Sequence, residues 1–198
     1  MVDQLIKHAF ASTPSDELMR LFRPPFRIEP ARFMGRWYEL ETFRQPYAPN
    51  ATDGQALYAL IEPPPSQDKA AVKLENSCLQ WNKKRTAQKV LRMTGTVKVL
   101  PDDGASNSQL VVNFDDLFMG IGTHFSSVNM CILDCTPDYG FMMMGTPSHD
   151  GLWLMGRTTA ALPAAISARF YAKARMDGFD VRKLEPMAHT STMAISTT

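Results

Sequence analysis

Between residues 33 and 158 the chain breaks into eight short segments, each closed by residues that cannot continue a strand. The segments run 33–43, 54–62, 70–80, 86–100, 109–114, 128–135, 139–145 and 151–158. Within them apolar and polar residues alternate, as Val72 and Leu74 do against Lys73 and Glu75, which is the period of a half-buried strand. Between them stand Gln45-Pro46-Tyr47-Ala48-Pro49-Asn50, Pro63-Pro64-Pro65-Ser66 and Pro101-Asp102-Asp103-Gly104. Proline has no amide donor for a ladder, and Asp and Gly favour turns. Thr136-Pro137-Asp138 and Pro147-Ser148-His149-Asp150 are short enough for hairpins. Gly95, inside the fourth segment, reads as a bulge or bend, and 115–127 reads as a glycine-containing loop.

Eight consecutive strands with short turns predict an all-β fold, an antiparallel meander. Closing it into an up-and-down barrel removes the exposed edges. An eight-stranded barrel has an interior that side chains fill or that holds one small ligand.

Two stretches read as helix. In 1–22, Leu5, Ile6, Ala9 and Phe10 share a face, Ser15 or Asp16 can cap a further turn, and Arg23-Pro24-Pro25 stops it. In 163–177, Pro163 suits a first turn, Ile166, Phe170, Tyr171 and Ala174 share a face, and Gly178 reads as the residue that ends the helix. Val181–Leu184 reads as a ninth short strand. The expected organisation is a helical extension over 1–23, one barrel domain over 24–186, and a mobile Ser/Thr-rich tail over 187–198.

The formal net charge of +1 argues against nucleic-acid binding driven by bulk charge. No apolar run is long enough to cross a bilayer as a helix. Residues 1–11 lack the apolar core of a secretion signal, and no lipobox-like cysteine follows. The compartment expected is cytoplasmic or organellar, the latter as a mature form, with membrane association left open. Cys131 and Cys135, four apart in one strand, would stand roughly 13 Å apart at about 3.3 Å per residue. A disulfide needs less than about 7 Å, so they cannot bridge each other. Cys78 remains available to either, and three free thiols are the plainer reading.

Nothing in the sequence carries an enzyme motif: no Gly-x-Ser-x-Gly, no phosphate-binding loop, no dinucleotide fingerprint. His8, His124, His149 and His189 are scattered, with no carboxylate or second histidine at a metal-ligand spacing. Neither enzyme activity nor a metal is expected. What the strands offer is apolar lining. If Arg157 faces inward, parity carries Met155 and Trp153 inward with it. By the same rule Ala56, Tyr58 and Leu60 share a face, as do Met130 with Ile132 and Met142 with Met144. Val72, Leu74, Met93, Val112 and Phe114 complete a candidate ligand-binding set. Thirteen methionines are many for this length, and a methionine-lined cavity adapts to irregular apolar ligands.

Three blocks carry a family resemblance: Gly35-Arg36-Trp37-Tyr38-Glu39, Leu133-Asp134-Cys135-Thr136-Pro137-Asp138-Tyr139, and Leu152-Trp153-Leu154-Met155-Gly156-Arg157-Thr158. In this order, with a helix after them, they resemble the lipocalins, specifically the bacterial-lipocalin and apolipoprotein-D-like branch. The resemblance covers roughly 24–186. It implies an eight-stranded lipocalin barrel with a C-terminal helix, beside the extra N-terminal helical segment. Gly35, Trp37, Asp138 and Arg157 fall on the structural signature. Trp37 would plug the closed end and Arg157 would pack across its ring. Some lipocalin-like enzymes use a lumen-facing thiol in an early strand, and no cysteine precedes Cys78. The 23-residue leader, the tail and a long 115–127 loop depart from the pattern.

The expected function is binding or transport of a small hydrophobic ligand: a fatty acid, lysophospholipid, sterol or pigment. It would be held non-covalently in the lumen, without a cofactor. The competing expectation is a lipocalin-fold structural subunit of a larger protein assembly, membrane-bound or not, contacting a membrane surface or protein partners through the N-terminal helix and loops.

Overall fold

The computed structural model describes residues 24–190 apart from 46–47, 62–71, 83, 85, 101–106, 116–124 and 126. The helix expected over 1–22 and most of the 115–127 loop lie outside the described residues.

A single-turn helix, α1 (Pro30–Phe33), precedes eight antiparallel strands: β1 (Gly35–Phe43), β2 (Ala51–Leu60), β3 (Val72–Trp81), β4 (Gln88–Leu100), β5 (Gln109–Phe114), β6 (Met130–Cys135), β7 (Phe141–Gly145) and β8 (Leu152–Gly156). Each pairs with its neighbour in sequence, and β1 closes the ring by pairing with both β2 and β8. The eight strands fall where alternation and turns predict them, with no end shifted by more than three residues.

Three register shifts reset the parity, at Leu40 in β1, at Asp53–Gly54 in β2 and at Leu133 in β6. Each bulge adds a residue to one strand and bends it. Gly95 is not one of them, because pairing runs through it without a shift. Its missing side chain instead lets the Asn113 carbonyl of β5 approach, where a Cβ would overlap it.

The barrel has two apolar layers. Inside, Trp37, Leu74, Val97, Leu110, Ile132 and Met142 pack with Ile28 and Phe33. Outside, α2 (Ala164–Met176) lays Phe170 and Ala174 on Cys131, Leu133, Met143, Leu152 and Leu154. Cys131 thus lies opposite Ile132, as alternation required. All three cysteines are free thiols. Gly178 takes a positive φ of 90° just past α2, as a helix-ending residue does.

After α2, Val181–Lys183 forms a 3-10 turn capped by the Asp180 side chain rather than a strand. The ninth strand comes just after it, β9 (Leu184–Pro186), and pairs with Glu41–Phe43. The chain beyond β9 is not free at once. Met187 N donates to Leu40 O, Asp53 N donates to Ala188 O, and Asp53 accepts from Thr190 N (2.6 Å) and Thr190 Oγ1 (2.9 Å). One edge of β1 is therefore shared along its length: Gly35–Tyr38 pair with β2, while β9 and 187–190 fill the gap that opens above.

Candidate functional site

The closed end is built on Trp37. Its ring is fully buried, and Nε1 donates to Phe33 O at 2.9 Å, so α1 sits under the barrel as a floor. The Arg157 guanidinium carbon lies 3.7 Å from the Trp37 ring centroid. Its nitrogens donate to three carbonyls: Nη1 to Arg36 O (2.9 Å), Nη2 to Arg32 O (2.8 Å) and Nε to Tyr139 O (3.2 Å). Only a planar fork satisfies a ring face and several acceptors together. Gly35, at φ 93°, passes within contact distance of that guanidinium. Asp138 shapes the turn after β6. Hydrogen bonds from the Thr136 hydroxyl and the Gly140 amide hold its carboxyl below the usual range. None of these four residues is among those that line the cavity above them.

Above this floor opens a cavity of about 350 Å³, at the small end of the 300–1,000 Å³ typical of ligand pockets (roughly). Nine of the fourteen residues expected to line it do so: Ala56, Tyr58, Met93, Val112, Phe114, Met130, Met144, Trp153 and Met155. Trp153 pairs with Thr42 and Met155 with Glu39, so Trp153 stands nearer the mouth. Val72, Leu74, Ile132 and Met142 face the same interior but are packed into the core around Trp37. Leu60 is 46% exposed. Parity places it correctly, opposite Val72, but it lies two residues past the last β1–β2 pair, Gly35–Tyr58, where β1 no longer covers it.

The structure adds residues that the apolar pattern does not pick out. Glu39, Asn76 and Cys78 line the cavity, as do Pro186, Met187 and Ala188 near the rim. Alternation from Trp37 puts Glu39 inward, and alternation from Val72 and Leu74 does the same for Asn76 and Cys78, so the signal was parity rather than hydrophobicity. Burial pushes the Glu39 carboxyl up to about 7. Burial, reinforced by the Glu39 and Asp53 charges, pushes the Cys78 thiol up to about 12. Near neutral pH that sulfur is a thiol, a poor nucleophile. Tyr58 is likewise raised, by burial and then by Glu39, and its hydroxyl reaches Met144 Sδ at 3.7 Å. Among the described residues, no three His, Cys, Asp or Glu side chains converge as metal ligands. No described helix is long and apolar enough to cross a membrane.

Similarity to known proteins follows the same outline. A family model for a lipocalin-like domain matches residues 28–189. The chain is 25% identical over 176 residues to temperature-induced lipocalin-1 of Arabidopsis thaliana, covering 84% of this chain and 82% of that one. Among solved structures it resembles insecticyanin from the tobacco hornworm Manduca sexta, with a TM-score of 0.59, 11% identity and 85% of each chain covered. It also resembles lobster apocrustacyanin A1, with a TM-score of 0.56, 13% identity, and 91% and 89% of the two chains covered.

Proposed function

Because this chain belongs to the lipocalin family, we propose that it binds a small hydrophobic molecule in the barrel lumen and acts as a carrier rather than an enzyme. The observation that carries this reading is the cavity itself. A barrel of this size can be filled by its own side chains, yet here about 350 Å³ stays open between Met93, Met130, Met144, Met155, Phe114 and Trp153. Transfer of apolar ligand surface from water to such a wall is favourable by about 25 cal/mol per Å². The small volume favours a single-chain lipid over a bulky pigment. Against catalysis stands the state of the lumen thiol, held protonated by its surroundings.

Native mass spectrometry of gently purified protein tests this. A monomer carrying a lipid-sized mass, released on denaturation, supports the carrier. Lipid-free protein that co-migrates entirely with a large complex supports the structural-subunit reading instead.

A further inference from the structure

Polar residues as well as apolar ones line the cavity, Thr42, Arg44, Gln45, Asn50, Thr52 and Glu185 among them, and Glu39 stands apart as a desolvated carboxyl. Glu39 enters from β1 and its carboxyl lies against Gly54 of β2. Oε2 and Cδ lie 2.7 and 2.8 Å from where a Gly54 Cβ would stand. Only a glycine leaves room for it there. Beyond β2 lies β3, which brings Asn76 and Cys78 to the same cavity as Glu39. The Glu39 charge accordingly acts on Cys78.

Asn76 adds a second acceptor. Its Oδ1 is buried and has no hydrogen-bond partner, the one such side-chain atom among the described residues. An ionised carboxylate and an amide oxygen both accept hydrogen bonds. Nothing offsets the burial of Glu39: its carboxyl, raised to about 7, is shifted by desolvation with no donor or cation opposing it among the described residues. The single cationic side chain described in the wall, Arg44, stands at the mouth and is paired with Glu185, Nη2–Oε2 2.5 Å. Neither of these two acceptors receives a hydrogen bond from a described residue, and buried unpaired acceptors cost free energy until a donor meets them. A ligand carboxylate would add a second negative charge beside Glu39 and force one of the two to take up a proton.

Resting on the lumen-carrier reading above, we propose that the lumen is built for an apolar ligand whose polar end donates hydrogen bonds, a long-chain alcohol or amine, and that it discriminates against free carboxylates. The head group docks on the Glu39 carboxylate, Asn76 turns its Oδ1 toward it, and the chain runs along the methionine wall.

The test compares three ligands of equal chain length on delipidated wild-type protein at pH 8, where Glu39 is mostly ionised: dodecan-1-ol, dodecylamine and dodecanoate. Calorimetry should show the alcohol and the amine binding at least tenfold tighter than dodecanoate. A preference for the amine alone keeps the proposal and narrows the head group to a cation. Glu39→Gln should cost the amine at least tenfold and let dodecanoate bind tighter. Equal affinities, or dodecanoate tightest, overturn the head-group selection while leaving the carrier reading intact. No saturable binding of any of the three to folded protein overturns both. The wild-type comparison decides the matter even if Glu39→Gln does not fold.

Discussion

Arg157 and Trp37 close the barrel as one unit, the guanidinium carbon 3.7 Å from the ring centroid and its nitrogens on the carbonyls of Arg32, Arg36 and Tyr139. Lysine keeps the charge but presents neither the planar face nor the fork. Arg157→Lys should lower stability by about 1–3 kcal/mol, from a lost cation–π contact and unmet carbonyls. Denaturant unfolding measures it. An unchanged midpoint would mean that charge alone suffices.

Trp37 is fully buried and its Nε1 holds the α1 carbonyl of Phe33. Trp37→Ala removes the floor of the lumen and should cost roughly 3–5 kcal/mol, a large share of a typical domain's total stability. A thermal midpoint near wild type would show that another residue closes this end.

Stability should fall as pH rises through the range where the folded Glu39 carboxyl and an ordinary one differ. Burial raises the folded Glu39 carboxyl to about 7, against an ordinary value of 4.5. Between those values the folded state holds a proton that the unfolded state has lost, so stability declines with rising pH and levels off above 7. The penalty at pH 8 is roughly 3 kcal/mol. Asp134 and Asp177, also raised by burial, contribute in the same direction, whereas Asp138 and Asp180, lowered, act only below the ordinary carboxylate range. Tyr58 and Cys78, which face Glu39, titrate above this range. Only the difference from Glu39→Gln isolates the effect. That variant should have a flatter profile between pH 5 and 8 (roughly the window of the shift) and exceed wild type at the upper end. Parallel profiles would mean that the carboxyl is not desolvated.

Asp53 ties the segment after β9 to the barrel. It sits in the left-handed region at φ 57°, receives two hydrogen bonds from Thr190, and its own amide donates to Ala188 O. Asp53→Ala should release 187–190 from the rim at a cost of about 1–3 kcal/mol. Hydrogen exchange reads this directly: the amides of Met187 and Thr190 should lose protection while those of β6 and β7 keep theirs. Unchanged protection at Thr190 would show that the rim is held by packing instead.

Much of this fold is legible in the sequence because its signals are local. Alternation and proline-rich breaks mark all eight strands, and the Gly35-x-Trp37 and Trp153–Arg157 spacings mark the closed end. What escapes is what depends on the closed ring. Leu60 has the right parity, but how far β1 extends beside it is a property of strand pairing. Val72, Leu74, Ile132 and Met142 face inward like the cavity wall, yet the floor of the barrel takes up the space around them. Residues 187–190 read as a polar tail because the partner that orders them, Asp53, lies more than a hundred residues away. Glu39 is charged and so falls outside an apolar pattern, although its position two after Trp37 already places it in the lumen.

A ligand held in the lumen lies within reach of Trp153, which stands in its wall with Met144 beside it across the β7–β8 pair. Intrinsic fluorescence titrated with single-chain lipids (a long-chain alcohol, a lysophospholipid and an unsaturated fatty acid) tests binding there most directly. The account predicts a saturable change with at least one of them, lost in Trp153→Phe while calorimetry still detects binding. It predicts no binding to folded Met144→Lys, whose unpaired charge would cost several kcal/mol in the cavity. Folded Met144→Lys that binds each of these lipids as tightly as wild type would contradict it.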